Sequence, residues 1–190
     1  MINEALEFIT GELNNHFKNA FQVPDDKAIV SNLVDASGHA PLAIHDKLVI
    51  CLANIEQETS IANLGFTHNT GQSYQVRNQP LNINLYVLFA ANFNNYNESL
   101  KFISSTIAFF QSNYVFLRSN YSSMGEGIDK LVFELLKTDY ENAHYLWNAI
   151  GAKYLPSMIY KMRMLTINEN NIRYEGSLVS KPQVNANGNL

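Results

Sequence analysis

The spacing of apolar residues predicts three amphipathic helices along the chain. In residues 2–21 the apolar positions recur at steps of three and four, the period of a helix that buries one face. A second such stripe begins at Tyr96 and ends near Asn113. The third lies between Asp139, an N-cap residue type, and Gly151, which suits a helix C-terminus. The apolar faces comprise Ile2, Ala5, Leu6, Ile9, Leu13, Phe17 and Phe21; Tyr96, Leu100, Ile103, Ile107 and Phe110; and Ala143, Leu146, Trp147 and Ile150.

Runs of β-branched and alternating apolar residues predict the strands of a sheet. In residues 81–93 apolar and polar side chains alternate, and the second face also becomes apolar midway. We therefore expect this strand to lie centrally. Further strands are predicted at 28–35, 46–58, 114–120 and 157–167, whereas 129–137 fits either a strand or a short helix.

The order of these elements predicts an α+β fold, with a mixed or mainly antiparallel sheet packed by about three helices. The strictly alternating strand and helix units of a Rossmann domain are not seen in the pattern. Residues 59–79 are polar and irregular and are expected to form a long loop. We expect a single domain over 1–167 and an extended C-terminal tail over 168–190.

The second helix carries more apolar surface than one buried face requires. Phe102 and Phe109 lie off the stripe of Leu100, Ile103 and Ile107, so more than half of the helix circumference is apolar. Two interpretations follow: the helix is buried on two sides within the domain, or it presents one face to a partner.

Charge argues against a nucleic acid partner. The chain of 190 residues is 46% hydrophobic and 16% charged, with a formal net charge of −4, so no basic footprint is present. Lys161 and Arg163, which would share one face of a strand, are too few to bind a duplex. The acidic N-terminus and the lack of an apolar run of about 18 residues predict neither a signal peptide nor a transmembrane segment.

Motifs for catalysis and cofactor binding are scarce. Neither a glycine-rich phosphate loop nor a nucleophile elbow is present, and Cys51 lies in an apolar run typical of a buried thiol. The densest set of metal-ligand types is His39, His45 and Asp46, which lack a ligand spacing that specifies zinc. We therefore predict no enzyme activity, no cofactor and no metal.

Two carboxylates, Glu56 and Glu58, are predicted to face the same side of a strand. Their proximity could raise one of the two pKa values, as in an acid and base pair. A solvent-facing strand end explains the same pattern without catalysis.

Two ordered blocks, residues 80–116 and 146–165, resemble the tail-terminator or cap proteins of extracellular contractile injection systems, the phage-tail-like particles of the anti-feeding-prophage type. With the N-terminal helix and the strand at 46–58, the resemblance covers roughly residues 1–167. The residues that carry it are Pro80, Leu81, Leu85, Tyr86, Leu88, Ala90, Tyr96, Leu100, Trp147, Gly151, Tyr154, Pro156, Ser157, Tyr160 and Arg163.

The resemblance implies a homohexameric ring at the distal end of the particle. Such a ring would cap the inner tube, engage the last sheath ring, end polymerisation and anchor the sheath during contraction. The protein would be made in the bacterial cytoplasm and incorporated into a particle that can be released. Its expected partners are itself, the inner tube protein and the sheath protein, without nucleic acid or a small-molecule substrate.

The contact residues expected for subunits or partners are Lys161, Arg163, Tyr74 and Arg77, with the 59–79 loop and the 168–190 tail as further contact segments. Trp147 and Tyr154 are expected to pack the third helix on the sheet. Two other functions stay open at this point: an adaptor that links the particle to a protein or membrane, and a small enzyme that uses the His39 and His45 loop.

Overall fold

Helices and strands alternate in groups along the computed structural model, which describes residues 1–58, 67–69, 73–77, 82–166 and 172–177. The helices are α1 (Ile2–Phe21), α2 (Tyr96–Ser112) and α3 (Tyr140–Ile150), and Leu42–Ile44 forms one 3-10 turn. The described strands are β1 (Ala28–Val30), β2 (Lys47–Gln57), β3 (Thr67–Asn69), β4 (Ser73–Arg77), β5 (Asn82–Asn92), β6 (Val115–Leu117), β7 (Ile128–Leu135), β8 (Ser157–Thr166) and β9 (Ile172–Ser177).

Six of these strands form the central sheet, in the order β1-β2-β5-β8-β7-β6. Only the β1 and β2 pair is parallel, and the four other pairs are antiparallel. The predicted α+β class, with a mixed and mainly antiparallel sheet, is confirmed. β5 lies between β2 and β8, as expected from its two apolar faces, and Leu88 and Phe89 are both fully buried.

Helices cover both faces of the sheet. α1 and α2 pack on one face over a core rich in aromatic rings, which meet edge-on or tilted as in most protein interiors. α3 packs on the opposite face, where Trp147 is buried with Leu33, Ile44, Val49, Leu88 and Ala90. The large side chains of the first core include Phe17, Phe89, Phe102, Phe110 and Phe116.

A buried amide fastens α1 to the β1 edge of the sheet. The Asn14 side chain accepts a hydrogen bond from the Ala28 backbone N–H at 2.7 Å and donates one to the Ala28 carbonyl at 3.0 Å. Because β1 is an edge strand, these two backbone groups face away from β2 and need other partners. The Asn14 side chain therefore makes the two hydrogen bonds that a further strand would make with Ala28 at this edge.

Three predicted segments differ from the structure. The strand expected at 28–35 ends at Val30, because the Asp35 carboxylate accepts the N–H groups of Ser37 and His39 and folds the chain into a turn. The predicted 59–79 loop contains β3 and β4, and the predicted 168–190 tail contains β9. These three strands form a separate small sheet in the order β3-β4-β9. They pair through backbone hydrogen bonds, which do not require apolar and polar residues to alternate along the sequence.

The segment 129–137, which fitted two element types, is the strand β7. It lies between β8 and the short edge strand β6, and its backbone bonds are thereby satisfied within the sheet. β6 itself spans only Val115–Leu117, which is shorter than the predicted 114–120.

The buried face of α2 was predicted only in part: Phe110 of the predicted stripe is buried and Ile103 packs against the same core. Tyr96, Leu100 and Ile107 of the predicted stripe are exposed, whereas the helix buries Phe102 and Phe109. Two apolar stripes compete on this helix, and the one with the larger aromatic rings faces the sheet because it removes more apolar area from water. The remaining buried positions of α2 are Ser99, Thr106 and Phe110.

Candidate interaction surfaces

Beyond α3, the same face of the sheet continues as a patch of polar and charged side chains. Strand register places Glu56, Asn84 and Arg163 in one row, and Tyr86, Lys161 and Glu134 in the next. We call this patch the charged face; it consists of Glu56, Glu58, Asn84, Tyr86, Glu134, Lys161 and Arg163.

Ion pairs hold the two predicted cationic residues of the charged face in place. Arg163 Nη2 lies 2.5 Å from Glu134 Oε2, and Lys161 Nζ lies 3.8 Å from Glu58 Oε2. Arg163 and Glu134 are 49% and 57% exposed, so solvent screens this pair and it adds at most about 1 kcal/mol to stability. Lys161 and Arg163 share one face of β8 as predicted, and Arg163 stays available for contacts.

A hydrogen bond between a phenol and a carboxylate lies beside these pairs. Tyr86 Oη donates to Glu56 Oε2 at 2.5 Å. This bond, with smaller effects of burial and of the charges on Glu56 and Glu58, raises the pKa of Tyr86 above its ordinary value. Both carboxylates predicted to share a side contribute to this face, but each bonds a neighbouring strand rather than forming an acid and base pair.

Asn84 leaves one hydrogen-bond acceptor open in the centre of the charged face. Its Nδ2 donates to Glu58 Oε2 at 2.9 Å, and this bond fixes the orientation of the amide. Asn84 is 2% exposed, and its Oδ1 has no hydrogen-bond partner within the part of the chain that the structure describes. An unpaired buried acceptor costs about 1–3 kcal/mol, so this orientation of the amide lowers stability slightly.

The residues of the second family block form a helix, a turn and a strand. The Asp139 carboxylate caps α3 by accepting the Asn142 N–H at 2.8 Å, and Gly151 ends the helix at φ 73°. The Pro156 carbonyl then accepts the Ala91 N–H at 2.9 Å and aligns the start of β8 with β5.

Two aromatic residues of that block have different environments. Trp147 is buried against the sheet, which confirms its predicted packing role. Tyr154 is 70% exposed, and its ring centroid lies 5.5 Å from that of Trp147. The expectation that Tyr154 packs between helix and sheet is therefore wrong: it covers the outer side of Trp147.

Two other predicted contact residues lie in the small sheet. Tyr74 pairs with Asn69 and Gly176, and Arg77 pairs with Ile172, in the backbone register of β4. Pro80 lies outside the described residues. The roles predicted for Tyr74 and Arg77 stay predictions.

The residues of the alternative metal or enzyme site make local structural contacts instead. The Asp46 carboxylate accepts the Asn94 N–H at 3.0 Å, which lowers the Asp46 pKa, and its other oxygen lies 3.6 Å from His45 Nδ1. His39 is exposed in the turn that follows Asp35. Within the described ranges, no group of three or more His, Cys, Asp or Glu side chains could hold a metal ion.

The single thiol lies on the side of the sheet that α3 covers. Cys51 is half-buried and packs against the second core cluster, and burial raises the pKa of its thiol. A raised thiol pKa disfavours the reactive thiolate, in agreement with the predicted structural role.

Sequence reasoning missed Glu134 as the partner of Arg163. The two residues lie 29 positions apart and meet only because β7 is a strand next to β8. If 129–137 is assigned to a strand, its side chains alternate between the two faces, and Glu134 then lies on the same face as Lys130 and Val132. That placement would have indicated Glu134 as a member of the charged face.

The fold and the surfaces together define an α+β domain in which a charged patch on the sheet is exposed to solvent. Residues 4–181 match the Pvc16 N-terminal domain family, and the chain belongs to that family. None of the described helices combines the length and the apolar composition of a membrane-spanning segment.

Two solved structures share the fold. The chain is 14% identical to the cryo-EM structure of the anti-feeding prophage cap, a tube-terminating cap, with a TM-score of 0.54, covering 91% of this chain and 55% of that one. It is 12% identical to the sheath/tube terminator of the extracellular contractile injection system PVC in its extended state, with a TM-score of 0.56, covering 95% of this chain and 63% of that one. The chain thus spans less than two thirds of either structure's length, and no curated protein matches it.

Proposed function

We propose that this chain is a cap, or tail terminator, of a contractile injection particle. It closes the distal end of the inner tube and engages the terminal sheath ring, which ends polymerisation and anchors the sheath. The observation that supports this most is membership of the Pvc16 N-terminal domain family over residues 4–181. The fold shared with two solved terminators agrees with it.

The proposed partners are five further copies of the chain in a six-membered ring, the inner tube protein and the sheath protein. A ring that closes the end of a tube needs one surface for its own neighbours and others for the tube and sheath. The chain would be made in the bacterial cytoplasm and carried in the particle. Neither catalysis nor a cofactor belongs to this proposal.

The charged face is the proposed contact with the tube or sheath. Arg163 is half exposed and already oriented by Glu134, so little side-chain freedom is lost when it binds a partner. Tyr74 and Arg77 are proposed as further contacts.

Particles assembled with and without the gene for this chain test the function. Electron microscopy should show a narrow length distribution with the chain, and long, uneven or unstable tubes and sheaths without it. A gold-labelled chain should lie at the end opposite the baseplate. Normal particles after deletion would contradict capping, and a label on a membrane or elsewhere on the particle would support the adaptor function instead.

Charge reversal at Arg163 tests the proposed partner surface. Arg163→Glu should reduce the fraction of capped particles without loss of fold, since the Arg163 and Glu134 pair contributes little to stability. Lys153→Glu is the matched control, because Lys153 is exposed in the loop between α3 and β8. Equal capping by both variants would remove the charged face from the partner contact, and Tyr74→Ala and Arg77→Ala extend the same assay.

The segment 168–190 is proposed to act as an arm that contacts a partner. Because β9 pairs with β4 through Ile172–Ser177, a chain that ends at Ser177 separates the arm from the small sheet. Loss of capping by this shortened chain would support the arm. Capped particles of normal length and stability would show that residues after Ser177 are dispensable.

A further inference from the structure

One strip along the exposed side of α2 is largely apolar and carries no charge, although Lys101 is exposed on the same side of the helix. Tyr96, Leu100 and Ile107 are 65%, 41% and 38% exposed and follow one another at helical spacing along this strip. The only charged residues of the helix, Glu98 and Lys101, pair with each other near its start. We call this strip the neutral ridge and define it by Tyr96, Leu100, Ser104 and Ile107; Asn97, Lys101 and Gln111 are exposed beside it.

α1 carries more charge along its exposed side than α2 does, where Glu98 and Lys101 are the charged residues. Both helices pack on the same face of the sheet, so both have an outer side that faces solvent. The outer side of α1 carries Glu4, Glu7 and Lys18, which is typical of a solvated helix. An exposed strip without charge has the composition of an interface centre, where charged residues are depleted.

A second uncharged surface lies on the opposite side of the sheet. A cleft of about 240 Å³ opens between α3 and the ends of β7 and β8. It is smaller than ordinary small-molecule sites, and its size suits one or two side chains of another protein. The lining contains no charged residue and consists of Leu88, Leu135, Leu136, Thr138, Ala143, Leu146, Trp147, Tyr154, Ser157, Met158 and Ile159.

The shapes and positions of the two surfaces suit a head-to-tail contact. The neutral ridge is convex and lies on the α1 and α2 side, whereas the α3 cleft is concave and lies on the other side. A heterologous interface uses two different patches of the same chain and closes into a ring when the rotation between neighbours permits. Opposite placement leaves each copy able to bind two neighbours at once.

The net charge of the chain favours a second copy of the same chain as the partner that binds the α3 cleft. Each copy carries a formal net charge of −4, so neighbouring copies repel one another wherever charged surfaces meet. A contact between copies therefore benefits from two surfaces without charge, and the ridge and the cleft both meet that condition. A tube or sheath protein could instead use complementary charges, which the charged face offers.

We propose that the neutral ridge of one copy packs into the α3 cleft of the next copy. This inference rests on the proposed ring-forming function and names its subunit contact. Ile107 on the ridge and Leu135 on the cleft rim are its central residues, and both side chains are reachable from solvent in the single chain.

Site-directed cross-linking in assembled particles tests the contact. In a Cys51→Ala background, one chain carries Ile107→Cys and another carries Leu135→Cys, and a flexible bismaleimide joins thiols that lie close together. Particles built from a mixture of both chains should give cross-linked pairs, and particles built from either chain alone should give none. A chain with both cysteines should give a ladder of linked copies.

A matched control uses Asn19→Cys in place of Ile107→Cys, because Asn19 is exposed on α1 and is not part of the ridge. Cross-links by either single-cysteine chain alone would show a symmetric contact and overturn the proposal. Particles that carry the chain at their ends but yield no pair from the mixture would overturn it as well. Particles that lack the chain would contradict the proposed capping function itself, so the two failures are distinct.

Discussion

Replacement of Asn14 by Ala tests whether one side chain of α1 closes the β1 edge of the sheet. The substitution removes the hydrogen bonds of 2.7 and 3.0 Å that the Ala28 N–H and C=O make with the Asn14 amide. Ala28 is 4% exposed, so water reaches these groups only if α1 moves away from the strand. Asn15→Ala makes the same chemical change at the exposed neighbouring position.

The magnitude follows from the two backbone groups that lose their partners. Leaving a buried donor or acceptor unpaired costs about 1–3 kcal/mol, and some water entry brings the sum for Ala28 to about 2–4 kcal/mol. Both variants gain roughly 0.5 kcal/mol from the better helix propensity of Ala, which cancels in their difference. In a chain of this size the expected loss corresponds to about 4–16 °C in Tm.

Urea unfolding followed by the fluorescence of Trp147 measures the difference. Trp147 is the single Trp and lies in the core on the opposite side of the sheet, so it reports global unfolding rather than local loss of α1. The Asn14→Ala midpoint should fall while the dependence on urea stays unchanged. A free energy within about 0.5 kcal/mol of Asn15→Ala would refute the role of Asn14 at this edge.

Three further measurements follow from local geometry. Gly151→Ala should destabilise the chain by about 1 kcal/mol because φ is 73° at this position, whereas Gly11→Ala in α1 should stabilise it by roughly 0.5–1 kcal/mol. An added Cβ meets nothing within 4 Å at either glycine, so the difference comes from the backbone alone, and equal effects in urea unfolding would contradict it. Glu56→Gln should lower the raised pKa of Tyr86, read as the ultraviolet titration difference against Tyr86→Phe, and an unchanged titration would refute the hydrogen bond as its main cause. Burial lowers the pKa of His16, so the imidazole binds a proton more readily in the unfolded chain than in the folded one, and stability should fall as pH drops below roughly 6.5. His16→Gln should weaken this dependence of stability on pH, and identical pH profiles of the two chains would exclude the effect.

Strongly periodic and fully buried elements were predictable from the sequence. α1 has its predicted bounds because one stripe of apolar residues leaves only one face to bury. The central position of β5 was predictable because the neighbouring residues Leu88 and Phe89 point to opposite faces of the sheet, and both faces must be covered to bury them. By contrast, β3, β4 and β9 are short and polar, and only their pairing with each other makes them strands.

The candidate surfaces were predictable only in part. The period of two along β8 was enough to place Lys161 and Arg163 together, whereas Glu134 depended on which strand lies next to β8. Adjacency in a sheet is a long-range property, and spacing within one strand does not contain it. The open acceptor of Asn84 is similarly invisible in the sequence, because it results from the bond that Glu58 makes with the other end of the amide.

α2 shows why a sequence with two apolar stripes leaves its function open until the fold is known. Hydrophobic period alone fits burial through Leu100 and Ile107 as well as through Phe102 and Phe109. The structure buries Phe102 and Phe109 and leaves Leu100 and Ile107 exposed. Within the part of the chain that the structure describes, Tyr96, Leu100 and Ile107 therefore have no covering element, and the sequence alone did not decide between burial within the domain and an exposed face.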